Sequence, residues 1–154
     1  MLRFSRKALL ALEAVLDVAC HARPDPVQAR EITVRQGVPH RYLEQVMQAL
    51  VRADILRGVR GPHGGYRLAR ERRRITLTEI VAAVDGLEQT HSHAHRFSSL
   101  GANCLAPLCQ KLEAGAMREL SRLTLADLCA QCGNAEPPAD QTTPHPSSSP
   151  DFTI

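Results

Sequence analysis

Residues 61–65, Gly-Pro-His-Gly-Gly, place three of the chain's nine glycines and one of its ten prolines in five positions. The backbone crosses such a stretch as a tight turn, because glycine opens the left-handed region and proline fixes φ. The flanking runs ILRGVR and YRLA read as short strands, so the stretch is the tip of a two-stranded hairpin. That hairpin fixes the frame, because everything upstream of it has helical periodicity. A first helix is expected from about Arg3 to Cys20, with Leu9, Leu12, Leu16 and Ala19 at helical spacing and Glu13 and Asp17 on another face. Pro24 and Pro26 end it. A short second helix is expected from about Ala29 to Arg35, then a turn at Gly37, then a third helix from about His40 to Ala53 opened by Pro39. The third helix sets Leu43, Val46, Met47, Leu50 and Val51 on one side and Arg41, Glu44, Gln45, Gln48 and Arg52 on the other.

Downstream, Thr76-Leu77-Thr78-Glu79 is a capping box that opens a helix running to about Asp85. Residues 87–102 lack periodicity and read as a loop. A long helix follows from about Asn103 to Leu123, with Leu105, Leu108, Leu112, Ala116, Leu120 and Leu123 three and four residues apart. A stripe that regular, this far from the small domain's core, calls for a partner surface, best supplied by a second copy of the chain. Thr124 and Asp127 cap a last short helix ending at Gly133, and the Pro- and Ser-rich end of the chain reads as disordered. The fold class is mainly α, a winged helix-turn-helix with a two-stranded β-wing and a long C-terminal dimerisation helix. Its expected parts are a DNA-binding domain at 1–86, a sensor loop at 87–102, the dimerisation and terminal helices at 103–133, and a tail at 134–154.

The chain's 154 residues suit one domain, or one small domain with an appended segment. Its only aromatics are Phe4, Tyr42, Tyr66, Phe97 and Phe152, so the core must be aliphatic. No apolar run approaches the roughly 18–20 residues of a membrane span. Glu13 and Asp17 interrupt the N-terminal apolar run and no small-residue cleavage site follows, which favours an amphipathic helix over a signal peptide and points to the cytoplasm.

Charge is divided unevenly. Residues 1–76 hold 15 basic and 7 acidic residues, a net of +8, whereas residues 77–154 hold 4 and 9, a net of −5. One half can therefore approach a polyanion. Arginine, 17 of the 19 basic residues, makes forked contacts to phosphates and base edges. Arg60 and Arg67 flank the glycine turn, where the backbone can approach a sugar–phosphate wall, and Arg60 can reach a minor groove. An ordinary helical domain with a solvated basic face accounts for the charge alone. It does not account for the turn glycine and the hairpin in the same stretch.

AVLDVAC, then RQGVPHRYLEQVMQALVRADILRGVRGPHGGYRLAR, then TLTEIVAAVDG resemble the iron–sulfur-cluster regulator family, the IscR/NsrR-type winged-helix transcription factors. The resemblance is close over about residues 1–86 and weaker to about residue 128. It implies a homodimer on palindromic double-stranded DNA operators. By position it puts His40, Arg41, Tyr42, Glu44 and Gln45 on the recognition helix, Arg60, Gly61, Pro62, Gly64, Gly65 and Tyr66 in the wing, and Ser5 against the DNA backbone. Glu44 can accept from a cytosine amino group and is repelled by phosphate, so it is a candidate selectivity residue or, alternatively, half of a surface salt bridge.

The family's three cluster-binding cysteines are only partly matched. Cys104 corresponds to the last, His91, His93 and His95 stand in the region of the first, Ser98 and Ser99 in that of the second, and Pro107 replaces the family's histidine. Cys104 and Cys109 with His91 and His93 are the candidate ligands of a two-iron two-sulfur cluster, with zinc or no metal as competing readings. Cys129-Ala-Gln-Cys132 is half a metal site, a reversible disulfide or an incidental pair. Cys20 is expected to be a buried small hydrophobe. No catalytic constellation is present, so the chain is not expected to be an enzyme. A DNA-binding regulator without iron and a pure protein-interaction module are the other readings.

Overall fold

The computed structural model describes residues 5–85, 87 and 98–133. Three helices, α1 (Arg6–His21), α2 (Ala29–Gln36) and α3 (His40–Arg52), are followed by an antiparallel hairpin of β1 (Leu56–Val59) and β2 (Gly65–Leu68). A 3-10 turn of three arginines (Arg72–Arg74) leads to α4 (Leu77–Asp85), and α5 (Ser99–Arg122) and α6 (Leu125–Gly133) complete the chain.

Most of the helices start where a side chain satisfies their free N–H groups; α3, which follows Pro39, has no side-chain cap. The Ser5 hydroxyl accepts from the Ala8 amide at 3.0 Å, and Gln28 and Glu31 form a capping box on α2. Gly37 ends α2 in the left-handed region, with φ at 63°, where a Cβ is strained. The sharp turn into α3 depends on it.

The core is aliphatic, as expected, and has no buried polar or charged residue among those described. Leu43, Val46, Met47 and Leu50 of α3 are buried, but Val51 is exposed. The inward face of α1 differs from the expected one. Ala8, Leu10, Ala11, Ala14, Val15, Val18 and Ala19 are buried, Leu12 and Leu16 are half-buried, Leu9 points outward, and Cys20 is exposed. α1 packs against several elements at once, and small side chains let those neighbours approach. The leucines are left for its margins.

The long helix starts four residues earlier than the sequence suggests. The Ser98 hydroxyl accepts from the Gly101 amide at 3.3 Å and caps it, so Cys104 lies inside α5. Leu105, Leu108 and Leu112 are 52%, 51% and 59% exposed, whereas Leu120 packs on the core. The free stripe therefore belongs to the N-terminal half of α5.

Two backbone links tie the C-terminal helices to the first domain. The Leu77 amide donates to the Leu123 carbonyl at 3.0 Å, and the Leu125 amide to the Ile75 carbonyl at 2.8 Å. Thr76 and Thr124 thus face each other in an antiparallel bridge. Each threonine also donates its amide and hydroxyl to a carboxylate three residues on, Glu79 and Asp127 respectively. Leu125, fully buried, fills the core beneath the bridge.

Hydrogen bonds from Thr76, with the Arg70 guanidinium, hold the Glu79 carboxyl below its ordinary value of 4.5 despite some opposing desolvation. A depressed carboxylate contributes stability that is complete above its unfolded pKa and is lost as pH falls through its lower folded value. Thermal melts should therefore show stability falling below about pH 4.5, with a shallower slope in Glu79→Gln. Equal acid slopes in the two proteins would show that Glu79 is not the linked group.

Candidate nucleic-acid interface

The exposed face of α3 carries His40, Arg41, Glu44, Gln45 and Gln48, all open to solvent. The buried residues one helical turn apart on its other side fix this face outward. A salt bridge orients the pair of helices before it. Asp17 on α1, its side chain 8% exposed, accepts from Arg35 Nε at 2.9 Å and Nη2 at 2.7 Å, and lies 3.1 Å from His21 Nδ1. The forked contact raises the Arg35 pKa, the Asp17 hydrogen bond being the main cause, and locks α2 to α1.

The wing is fastened from beneath. The Val27 amide donates to the Tyr66 carbonyl at 3.0 Å and the Tyr66 amide to the Val27 carbonyl at 2.8 Å, so the segment before α2 acts as a third, one-residue strand against β2. The register pairs Leu56 with Leu68 and Val59 with Gly65. A Cβ on Gly65 would lie 2.4 Å from the Val27 carbonyl oxygen, so glycine is required there for close approach. The Gly64 amide donates to the Gly61 carbonyl at 2.9 Å and closes the tip. Arg60, Gly61 and Pro62 stand exposed at that tip. Arg67 is spent differently: its guanidinium donates to the Pro24 carbonyl, which braces the wing on the loop after α1.

The wing's first strand packs against α3. Burial raises the Tyr66 pKa, and the negative charge of Glu44 adds to the effect, so the wing's tyrosine lies within electrostatic reach of the recognition helix. Glu44 is also 3.9 Å from His40 Nδ1, both side chains being about half exposed. The salt-bridge reading of Glu44 thus has a partner, and the carboxylate remains open to a base edge. Tyr42 is half-buried, with Lys7 Nζ 5.8 Å from its ring centroid. Lys7 also donates to the Leu87 carbonyl at 2.7 Å. Ser5 is committed to capping α1, at the positive end of that helix.

The proposed ligand set is less well assembled. Cys104 is exposed and Cys109 half-exposed, both on α5. Five residues of helix separate them by about 140° around the axis, not the three- or four-residue spacing that puts two ligands on one face. Among the described residues no group of three or more His, Cys, Asp or Glu could hold a metal ion, so these two thiols alone fit neither a cluster nor zinc. His91 and His93, with His95 and the tail after Gly133, lie outside the described residues. Cys20 is exposed on α1, and Cys129 and Cys132 lie one turn apart on α6, a helix that packs against α1.

A groove-sized helix held beside a glycine-tipped hairpin, on the cationic half of the chain, defines a winged-helix DNA-binding regulator. The comparisons with known proteins agree. Residues 4–131 match the model of the Rrf2 family, described as iron-dependent transcriptional regulators, and the chain belongs to that family. It is 36% identical over 129 residues to the HTH-type transcriptional regulator IscR of Vibrio atlanticus, covering 82% of this chain and 75% of that one. Over 132 residues it is 36% identical to a putative HTH-type transcriptional regulator of Azotobacter vinelandii, covering 84% and 80%. The solved structure of T. potens IscR superposes with a TM-score of 0.67 at 31% identity, over 85% of this chain and 88% of that one. The B. subtilis global cysteine regulator CymR shares the fold, with a TM-score of 0.67 at 24% identity over 85% and 98%. The chain is therefore an IscR-like transcriptional regulator, in a family named for regulation and not for catalysis. None of its described helices is long and apolar enough to cross a membrane.

Gly65→Ala should lower the stability of the domain by about 1–3 kcal/mol, because backbone and not a yielding side chain occupies the space. An unchanged denaturation midpoint would count against the contact with Val27.

Proposed function

We propose that the chain acts as a cytoplasmic homodimer on palindromic duplex operators. The recognition helix enters the major groove with His40, Arg41, Tyr42, Glu44 and Gln45. The wing follows the adjacent backbone with Arg60, Gly61, Pro62, Gly64, Gly65 and Tyr66, Arg60 reaching the minor groove, and Ser5 meets a phosphate at the start of α1. The observation that carries this reading is the exposed polar face of α3 beside a glycine-closed hairpin whose first strand packs against that helix. The uncovered Leu105, Leu108 and Leu112 of α5 support dimerisation, since a second copy of the same stripe buries them.

The regulatory input in this reading is an iron–sulfur cluster of the two-iron two-sulfur type. Cys104, with His91, His93 and Cys109, is the ligand pool from which it is drawn, beside groups from the partner copy. Such a cluster supplies a centre sensitive to iron supply, oxidation or nitric oxide. A second reading keeps DNA binding and drops iron, with zinc, a small molecule or thiol chemistry as the signal. The separation of Cys104 and Cys109 around α5 favours its small-molecule and thiol branches over any metal held by those two sulfurs alone.

One anaerobic preparation separates the two. The first reading predicts a coloured protein with iron and acid-labile sulfide, bleached in Cys104→Ala. Colourless, iron-free protein that still binds its operator selects the second. In either case operator affinity should fall linearly with salt on logarithmic axes. Salt-indifferent binding leaves only a protein-interaction module.

Arg60→Ala should weaken operator binding by about 1–3 kcal/mol. Glu44→Ala should relax discrimination between operators more than it weakens binding, since it also removes a charge repelled by phosphate. Titrations against cognate and scrambled duplexes read both effects, and an Arg60→Ala protein with full affinity overturns the wing assignment.

A further inference from the structure

An open cleft of about 800 Å³ lies at the root of the wing. The end of α1, both strands of the hairpin, the arginine turn and α6 line it. Six of its residues are arginines, Arg23, Arg57, Arg67, Arg70, Arg72 and Arg73, and Glu71 is its one acidic residue. Three of the arginines are half-buried and committed to the protein. Arg67 donates to the Pro24 carbonyl, Arg72 to the Ala19 carbonyl at 2.8 Å, and Arg70 to Glu79 and two carbonyls. The other three, Arg23, Arg57 and Arg73, are exposed, and their guanidiniums make no hydrogen bond or ion pair among the described residues.

These charges are set against one another. Arg57 and Arg67 stand directly opposite in the hairpin register, where like charges are destabilising. Arg73 is the middle residue of the arginine turn. A bound anion relieves this repulsion. Each free guanidinium carries a fork of about five N–H donors, and together they exceed what one planar carboxylate accepts. The clustered oxygens of linked phosphates match them. The rest of the wall is apolar, with Val18, Ala22, Leu68, Ala126 and Ala130, and offers a surface to an uncharged organic portion. A cleft of this volume suits a small organic ligand. No residue of α3 or of the hairpin tip lines it, so it is separate from the face assigned to DNA.

We propose that this cleft binds a small organic diphosphate, its charged end between Arg23, Arg57 and Arg73 and its uncharged portion on the wall shared by α1 and α6. The committed arginines position the free ones. Arg67 holds the loop that carries Arg23 through the Pro24 carbonyl, and Arg72 holds the turn that carries Arg73 to α1 through the Ala19 carbonyl. A ligand seated there ties the root of the wing to the terminal helix. The site shares no residue with the cluster's ligand pool or with the set assigned to DNA, so it stands or falls separately from both.

The test is a calorimetric titration of the full-length protein with ADP, free of divalent metal and at constant ionic strength. The expected result is one saturable site per chain, from which inorganic pyrophosphate displaces ADP. Arg57→Gln/Arg73→Gln should weaken ADP binding by about tenfold or more, the loss expected of charge-assisted hydrogen bonds. Both side chains are exposed, so the fold should survive, and a thermal melt of the variant checks that it does. Arg118→Gln/Arg122→Gln, which removes the same charge from the exposed face of α5, should leave ADP affinity unchanged. Equal weakening in the two double variants makes the effect one of net charge and overturns the site. Absence of saturation at millimolar ADP, or displacement by citrate as readily as by pyrophosphate, also overturns it. A random-sequence duplex that competes with ADP, and weakens equally in Arg57→Gln/Arg73→Gln, makes the cleft a DNA-backbone contact and overturns the proposal.

Discussion

The inward residues of α1 are mostly alanine and valine, and the rest of the molecule depends on the close packing this permits. Ala8, Ala11, Ala14, Val15, Val18 and Ala19 let α3, α4, β2 and α6 lie against one helix. With few aromatics to fill gaps, the core gains its cohesion from short distances between aliphatic groups. Larger residues at those positions would push the recognition helix and the wing away from their shared support. The DNA-reading surface is thus set by what α1 lacks in side-chain volume.

Around that support the polar contacts serve placement more than stability. Asp17 holds Arg35, Arg67 holds the Pro24 carbonyl, and Arg70 reaches Glu79 and two carbonyls. Several arginines of the cationic half are therefore engaged with the protein itself. The exposed tip residue Arg60 and the polar face of α3 are left to meet an external ligand. Net charge draws a polyanion toward this half of the chain, and in the proposed function these few residues set how it is read.

The sequence was legible where a local rule had one answer. The four inward residues of α3 follow from helical period, the hairpin from its glycines, and the starts of α4 and α6 from Thr–Glu and Thr–Asp pairs. The face of α1 was misread because its leucines mark a period that its alanines contradict, and close packing favoured the alanines. The start of α5 was missed because Ser98 caps a turn with no apolar rhythm of its own. Val51 lies at the end of α3, past the core it was expected to enter.

The paired threonine bridge has a mechanical consequence. Thr76 opens α4 and Thr124 opens α6, and the two are hydrogen-bonded across a junction seated on Leu125. A rod as long as α5, fixed at one end in this way, behaves as a lever with its fulcrum at the bridge. A small sideways displacement near Cys104, on the far arm, arrives at the fulcrum as torque on the arginine turn and the root of the wing. Under the proposed function, a signal received far from the DNA could change the angle of the hairpin through this junction without a separate route through the hydrophobic interior.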